Sequence, residues 1–306
     1  MQAWTTAPAA MGGLRLSEVA EPTPLPHELL VRVEAFSPNP GDLAALPGVP
    51  AGSIPGWDGA GVVLEAAADG TGPRAGDHVL FLGLGARGWA QRRAVPHATT
   101  ATAPPDVAWE HLAALPVPAT SALRALRKLG SVIGRRILIV GATGAVGRIA
   151  VQLAARSGAH VIAIARDENT HTELQHLGAR ETHISLSSVS SRVHGAIDMV
   201  GGQHLVDAYA LLDSGAAVIA LGHSAGADER FPYGAFIAGP ATSDRSVTSF
   251  FLGSENGLAD EMAYLAADNR LRVGDVDIRP WTELAAWVER GAPRPSGRVV
   301  FRVDHA

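Results

Sequence analysis

Apolar and polar residues alternate in short runs over the first part of the chain, and glycine or proline separates one run from the next. A period of two is typical of strands with one face in a core, and the frequent Gly and Pro residues indicate tight turns. We therefore predict a β-barrel or β-sandwich before about residue 115. The clearest runs are residues 29–33, 61–65, 78–82 and 90–95.

The pattern becomes helical from Trp109, with apolar residues recurring at Leu112, Leu115, Ala122 and Leu126. Strand-like and helix-like segments alternate after this point. Such alternation predicts an α/β fold with a doubly wound parallel sheet. The predicted strands are 137–140, 161–165, 195–200, 216–221 and 246–252, and the predicted helices are 145–156, 206–212 and 259–267.

The order of these segments predicts two domains. A chain of 306 residues is long enough for two cores. The last part returns to short strand-like pieces that end at 298–303, and a tail of about 40 residues is too short to form a domain alone. We expect the tail to pair with the first domain. The predicted domains are 1–115 together with 268–306, and 116–267.

Composition excludes several classes of function. The formal net charge is −5 and Lys128 is the only lysine, so no basic stripe is available for nucleic acid. The absence of cysteine excludes disulfides, thiolate nucleophiles and Cys-ligated zinc. No apolar run approaches the roughly 18 residues of a membrane span, and no signal peptide is evident. We expect a cytoplasmic protein without a membrane or nucleic-acid partner.

Three glycines between the predicted strand 137–140 and the predicted helix 145–156 form the most informative motif. In this setting such a turn binds a dinucleotide, because glycine admits the pyrophosphate and the helix N-terminus offers free N–H groups. Ala142 replaces the usual first glycine, and a turn without a ligand is the alternative. The predicted cofactor-binding residues here are Gly141, Ala142, Thr143, Gly144, Ala145, Val146 and Gly147.

The end of the second predicted strand indicates which dinucleotide binds. NAD sites place an acidic residue there for the ribose hydroxyls, whereas this chain has Ala165 followed by Arg166. A guanidinium suits a 2′-phosphate, so we predict NADPH over NADH. Asp167 or Glu168 would reverse the preference if either folded back toward the ribose. A solvated loop arginine is the other interpretation of Arg166.

Motifs along nearly the whole chain resemble the medium-chain dehydrogenase/reductase superfamily, in its zinc-free quinone oxidoreductase branch. The resemblance implies a Rossmann domain, a GroES-like β-barrel domain formed from both ends of the chain, NAD(P)H as cofactor and usually a homodimer. The motifs are LPHELLVRVEAFSPNPGDL, IPGWDGAGVV, AGDHVLFLG, GWAQRRAVP, APPDVAWEHLAALPVPATSALRAL, GATGAVGRIAVQLA, IDMVGG and GRVVFRVD.

The same resemblance argues against a metal. Asn39 stands where the zinc-dependent branch has a cysteine ligand, and Trp57 stands where it has a histidine. Neither side chain is a normal zinc ligand, and the 12 histidines offer no paired spacing near those points. Lewis-acid oxidation of alcohols is therefore not expected.

The resemblance also implies roles for residues outside the glycine turn. It places Asn39 near the nicotinamide carboxamide, with Thr120 beside it. Asn39 in a simple turn and Thr120 as a helix N-cap are the structural alternatives. The remaining implied cofactor residues are Asp198 in a turn with Gly201 and Gly202, Gly222 and Phe251 beside the nicotinamide, and Arg298 from the tail.

Departures from the family pattern bear on the acceptor. The segment 42–56 lacks the tyrosine common in quinone oxidoreductases, and Thr170 replaces a lysine that often helps to bind the 2′-phosphate. Tyr233 is the one tyrosine we predict as a catalytic group, with a surface loop position as the alternative. A quinone tolerates a site poor in acids, because its reduced anion can take a proton from water.

These observations predict an NADPH-dependent oxidoreductase that delivers hydride to a quinone or another activated α,β-unsaturated carbonyl without zinc. The alternative is a non-redox tailoring enzyme, such as a cyclase or isomerase, or an NADPH-binding regulatory module on the same fold. The missing tyrosine and lysine motivate this second hypothesis.

Overall fold

The computed structural model describes residues 1–83, 85, 87–254, 256–268, 270–293 and 297–305. Contacts between residues divide the chain into two compact units. We call Ser121–Leu252 the central unit, and Met1–Thr120 with Gly253–Ala306 the composite unit. The division at 252/253 comes earlier than the predicted boundary at 267/268, because the helix that follows it contacts strands of the composite unit.

The strands and helices appear in the following order. The strands are β1 (Gln2–Thr6), β2 (Leu14–Glu18), β3 (Glu28–Phe36), β4 (Asp58–Glu65), β5 (His78–Leu82), β6 (Arg92–Pro96), β7 (Thr100–Thr102), β8 (Arg136–Val140), β9 (His160–Ile164), β10 (Glu181–His183), β11 (Gly195–Asp198), β12 (Ala217–Ala220), β13 (Ser246–Thr248), β14 (Val276–Pro280) and β15 (Arg298–Arg302). The helices are α1 (Pro40–Ala45), α2 (Trp109–Ala113), α3 (Pro116–Lys128), α4 (Ala145–Arg156), α5 (His171–His176), α6 (Gln203–Leu211), α7 (Leu258–Ala266) and α8 (Leu284–Glu289).

The central unit contains a six-stranded parallel sheet with the order β10-β9-β8-β11-β12-β13. The chain begins in the middle at β8, runs outward to β10, and then returns to β11 and runs to the other edge. This reversal defines a doubly wound sheet, so the predicted α/β fold is confirmed. Ligands of such sheets bind at the carboxyl ends of the strands beside the reversal, which here are β8 and β11.

Five strands of this sheet begin close to the predicted positions, because buried parallel strands have continuous apolar sequences, whereas the short, half-buried β10 was not predicted. Residues Ile137, Leu138, Ile139 and Val140 are each at most 1% exposed. The prediction is wrong at one edge, where β13 covers only Ser246–Thr248 of the predicted 246–252. This strand pairs with β12, and two of its three residues are exposed, so burial gives it little support.

The composite unit contains a sheet with the path β14-β15-β3-β4-β5-β7, to which β6 is attached through β3. The tail does return to the first part of the chain as predicted, because β15 pairs antiparallel with β3 at Phe301 and Phe36. Aromatic packing reinforces this pairing: the ring of Phe36 lies 5.7 Å from that of Phe301, whose ring lies 5.4 Å from that of Trp287. Trp4 Nε1 donates to the carbonyl of Trp281 (3.1 Å).

The described strands of the composite unit do not close into a barrel. One edge of β3 pairs with β4, while its other edge is divided between β6 at Glu28–Arg32 and β15 at its last residues. Because two strands share one edge, the sheet branches there. In the described ranges no pairing joins β14 to β7, and β1 with β2 forms a separate two-stranded sheet, so the strands form open sheets.

Candidate functional site

The glycine turn lies where β8 passes into α4, at the carboxyl end of the sheet. Gly141 has a φ of +81°, which favours glycine. A Cβ atom at Gly147 would lie 2.3 Å from the carbonyl oxygen of Gly141 and 2.7 Å from Cα of Ala142. Packing of the turn against α4 therefore requires glycine at both positions, whether or not a ligand binds.

Gly144 differs from these two glycines because the fold does not require it. It is exposed, its φ is −71°, and a Cβ there would have only the carbonyl oxygen of Gly141 within 4 Å, at 3.4 Å. The space beside it lies at the N-terminus of α4, where the first N–H groups have no partner within the helix. A side chain would enter this space, and helix N-termini of this kind can bind a pyrophosphate.

The other predicted turn residues are more enclosed than Gly144. Ala142 is buried, whereas Thr143, Ala145 and Val146 are half-buried. The carbonyl of Thr143 accepts a hydrogen bond from Nε of Arg148 (2.9 Å). The sequence interpretation assigned no role to Arg148. The available signal was a charged residue directly after Gly147, near the start of a helix whose following residues are mostly apolar.

Arg166 follows the end of β9, and its side chain is exposed to solvent. Ala165 is buried and its carbonyl accepts from Nε2 of His171 (3.0 Å). The next side chain, Arg166, is exposed, and within the described ranges it forms no hydrogen bond or ion pair. Asp167 does not fold back, because its carboxylate accepts from the backbone N–H (3.0 Å) and the side-chain amide (2.8 Å) of Asn169.

Asp198 closes the turn after β11. It is fully buried, its carboxylate accepts from the N–H groups of Val200 (3.1 Å) and Gly201 (2.8 Å), and burial raises its pKa. A Cβ at Gly222 would lie 2.7 Å from the carbonyl oxygen of Met199, so packing alone requires that glycine. The predicted cofactor contacts of Asp198 and Gly222 stay predictions.

Two predicted aromatic residues are at the surface of the central unit. The side chain of Tyr233 is fully exposed and that of Phe251 is 64% exposed. A proton donor needs an environment that places it against the reacting group. The exposure of Tyr233 fits the surface loop alternative, and Phe251 has no burial that would fix it.

A cluster of buried polar residues lies in the composite unit around Asn39, the residue before α1. Its Nδ2 donates to both Asp58 Oδ1 (2.9 Å) and Asp42 Oδ2 (3.1 Å), and its Oδ1 accepts from Nη1 of Arg298 (3.0 Å). The second amine of Arg298 donates to the carbonyl of Ser37 (2.9 Å). Each of these side chains is at most 3% exposed.

Both amide hydrogens of Asn39 have acceptors within the cluster. Asn39 can therefore offer another partner only the second lone pair of Oδ1. Its backbone N–H donates to Asp42 Oδ2 (2.7 Å), which fixes the start of α1. Arg298 likewise points to Asn39 and Ser37. The predicted contacts of Asn39 and Arg298 with a cofactor stay predictions.

The two carboxyl groups of the cluster are the acids that the sequence interpretation missed. Burial raises the pKa of Asp42 to about 6. Burial, followed by the nearby charge of Asp42, raises the pKa of Asp58 to about 7, although Arg298 opposes both shifts. The pair therefore retains a proton near neutral pH. The segment NPGD contained a signal for Asp42, because an acid three residues after Asn39 has the spacing of a capping box.

Thr120 lies inside α3, so its interpretation as an N-cap is wrong. The helix begins at Pro116, and the buried hydroxyl of Thr120 donates to the carbonyl of Pro116. Serine and threonine often bond back to the preceding turn in this way. Val117, on the same first turn, donates its N–H to Asp58 Oδ2 (3.2 Å), which ties α3 to the cluster.

Two further searches concern the described ranges alone. They contain no group of three or more His, Cys, Asp or Glu side chains that could hold a metal ion. None of their helices is both long enough and apolar enough to cross a membrane.

Comparison with known proteins gives consistent results. Residues 25–105 match the family model of the alcohol dehydrogenase GroES-like domain. A chloroplastic quinone-oxidoreductase homolog of Spinacia oleracea is 35% identical over 60% of this chain and 64% of its own length. A 2-methylene-furan-3-one reductase of Solanum lycopersicum is 31% identical over 58% of this chain and 50% of its own. The chain thus spans less than two thirds of either relative.

Solved structures extend the similarity over the whole chain. A quinone oxidoreductase from Thermus thermophilus, which has also been solved in complex with NADPH, is 26% identical. It superimposes with a TM-score of 0.80 over 99% of this chain and all of its own. Together with the GroES-like match and the doubly wound sheet, this similarity supports placing the chain in the quinone oxidoreductase branch of the medium-chain dehydrogenase/reductase superfamily.

Proposed function

We propose that this protein is an oxidoreductase that uses NADPH to reduce a quinone or another activated α,β-unsaturated carbonyl compound, without zinc. The open space at Gly144 carries the proposal, because the backbone at the start of α4 leaves room there for a ligand, whereas Gly141 and Gly147 are enclosed by the turn. When bound, NADPH supplies the hydride, and the protein supplies binding and orientation.

The central unit would hold the dinucleotide through two groups. The N–H groups at the start of α4 would bind the pyrophosphate, and Arg166 would bind the 2′-phosphate. The exposed guanidinium of Arg166 and the commitment of Asp167 to Asn169 support NADPH over NADH. Both groups stand at the end of the sheet where doubly wound folds bind ligands.

The composite unit supports reduction without a metal. Both amide hydrogens of Asn39 are donated to carboxylates, and Trp57 offers no metal-binding atom. Because Tyr233 is exposed and the carboxyl groups of Asp42 and Asp58 are enclosed, water is the proposed proton source for the reduced acceptor. That source suits a quinone better than a simple enone, since the reduced quinone anion is already stabilised.

The test is a titration followed by turnover. Purified protein is titrated with NADPH and NADH by nicotinamide fluorescence, and absorbance near 340 nm is then followed with a panel of quinones and enones. We expect selective NADPH binding and faster turnover with quinones. Absence of binding contradicts the proposal, and NADPH binding without turnover on any acceptor favours the cyclase, isomerase or regulatory alternative.

Substitution of Arg166 tests the choice of cofactor. Arg166→Ala should weaken NADPH binding by about tenfold or more and leave NADH binding nearly unchanged, since it removes a charged hydrogen bond to the 2′-phosphate. Arg180→Ala is the matched control, because Arg180 is another exposed arginine of the central unit. Equal losses for NADPH and NADH would contradict the assignment of Arg166.

The proposal includes a homodimer. Strand β13 is an edge strand that pairs with β12, and Val247 within it is 40% exposed. Phe236 and Ile237 are also exposed, at 67% and 70%. An open edge with apolar neighbours suits a twofold contact between copies. Light scattering should give twice the chain mass, and Val247→Lys should shift the protein toward the monomer.

A further inference from the structure

Arg148 connects the glycine turn to helix α5. It lies on α4 directly after Gly147, and its side chain is 8% exposed. Its Nε donates to the carbonyl of Thr143 in the turn (2.9 Å), while Nη1 forms an ion pair with Glu173 on α5. One guanidinium thus holds two segments that follow different strands of the sheet.

Helix α5 follows the short stretch that carries Arg166, and this stretch is fastened at both ends. On one side, Nε2 of His171 donates to the carbonyl of Ala165. On the other, Glu173 holds α5 against Arg148. The helices also approach closely, since a Cβ at Gly178 would lie 2.5 Å from Cβ of Ala155. The backbone position of Arg166 therefore depends on where α5 lies.

An arginine suits this connection better than a lysine. The planar guanidinium directs separate N–H groups at two acceptors, whereas a lysine ammonium is a compact charge on a flexible stem. The guanidinium is also nearly buried, so loss of either partner would leave a charged or polar group without its hydrogen bond. Arg148 is thus built into the turn, in contrast to the exposed Arg166.

We propose that Arg148 is a positioning residue that couples binding of the pyrophosphate at the glycine turn to binding of the 2′-phosphate at Arg166, and so strengthens the preference for NADPH over NADH. The inference rests on the proposed function. Arg148 acts through Thr143, which shapes the turn, and through Glu173, which sets the position of α5. It contacts neither phosphate in this scheme.

The test measures affinity and selectivity in the full chain. Arg148→Met, Arg148→Lys and Glu173→Gln are titrated with NADPH, NADH and 2′,5′-ADP by fluorescence or calorimetry. We expect Arg148→Met to weaken NADPH by about tenfold and NADH by less, because hydrogen bonds to charged groups are lost at both ends. Arg148→Lys should restore part of the selectivity, and Glu173→Gln should reduce it without changing the turn.

Arg156→Met is the matched control, because it removes a charge from the last residue of the same helix, about 12 Å along the axis from Arg148. Melting temperatures identify unfolding, and if Arg148→Met does not fold, the other two variants decide. Unchanged NADPH selectivity in the folded variants would overturn this inference alone. A wild-type protein that binds neither dinucleotide would overturn the proposed function as well.

Discussion

The glycine turn of the central unit and the polar cluster of the composite unit are opposite solutions to placing polar groups in a fold. The turn leaves Gly144, the first N–H groups of α4 and Arg166 open to solvent. The cluster encloses Asn39 and uses both of its amide hydrogens internally. Open groups cost little without a ligand, whereas buried groups must bond to one another. The comparison teaches that exposed polar groups leave the turn free to take the proposed ligand, whereas the cluster first stabilises its own unit.

The largest expected effect concerns Arg298. Arg298→Met should lower the free energy of unfolding by about 3–5 kcal/mol, because it leaves buried carboxyl groups without their cation. Denaturation by urea at pH 8 measures the loss, which should shrink at pH 5 as the carboxyl groups become protonated. Arg302→Met on the same strand is the control, since its ion pair with Glu110 is partly exposed. If Arg298→Met lowers the free energy of unfolding only slightly at pH 8, the carboxyl groups of the cluster do not depend on Arg298.

The pH dependence of stability tests the cluster next. The folded-state pKa values of Asp42 and Asp58 are raised from 3.8 to about 6 and about 7, so their contribution is present below pH 4 and is lost as pH rises to 7. In this window the free energy of unfolding should fall by up to ~1.4 kcal/mol per pH unit for each titrating group. Asp58→Asn should flatten the fall, and the exposed Asp106→Asn should not. Parallel profiles for wild type and Asp58→Asn would contradict the assigned titration.

Two alanine substitutions separate packing from binding within the turn. Gly147→Ala should lower the free energy of unfolding by about 1–3 kcal/mol, because its Cβ would overlap the backbone of Gly141 and Ala142. Gly144→Ala should lower stability by no more than about 1 kcal/mol, the cost of replacing a glycine N-cap, and yet weaken NADPH binding. Thermal denaturation and cofactor titration measure both. If Gly144→Ala binds NADPH as tightly as wild type, the open space at Gly144 is not the pyrophosphate site.

The smallest expected effect concerns Thr120. Thr120→Val should lower stability by about 1 kcal/mol, since it removes a single buried hydrogen bond to Pro116. The NADPH dissociation constant should not change. A stable variant with much weaker NADPH binding would instead support the predicted cofactor role of Thr120 and would show that the composite unit also takes part in binding.

Local sequence was sufficient where a feature depends on neighbouring residues. The apolar run 137–140 and the glycines after it gave the strand, the turn and the α/β class, because sheet burial and turn geometry impose them directly. It was insufficient where distant segments meet. Asp58 joins Asn39 only in the folded unit, Arg148 finds Glu173 only when α5 packs on α4, and the branching at β3 depends on which strands share its edge. Local sequence also left two positions open for Tyr233, and the structure agrees with the exposed surface loop.

The antiparallel pairing of β15 with β3 has a consequence for biosynthesis. The hydroxyl of Ser37 donates to the carbonyl of Val299, a contact that spans 262 positions of sequence. The composite unit therefore cannot be completed until residue 299 has left the ribosome, whereas the strands of the central unit are all synthesised earlier. Until then the end of β3 lacks the strand that pairs with it in the folded unit, and an unpaired strand edge favours association with other chains. Translation speed through the last strands should thus affect the yield of folded protein more than speed through the central unit.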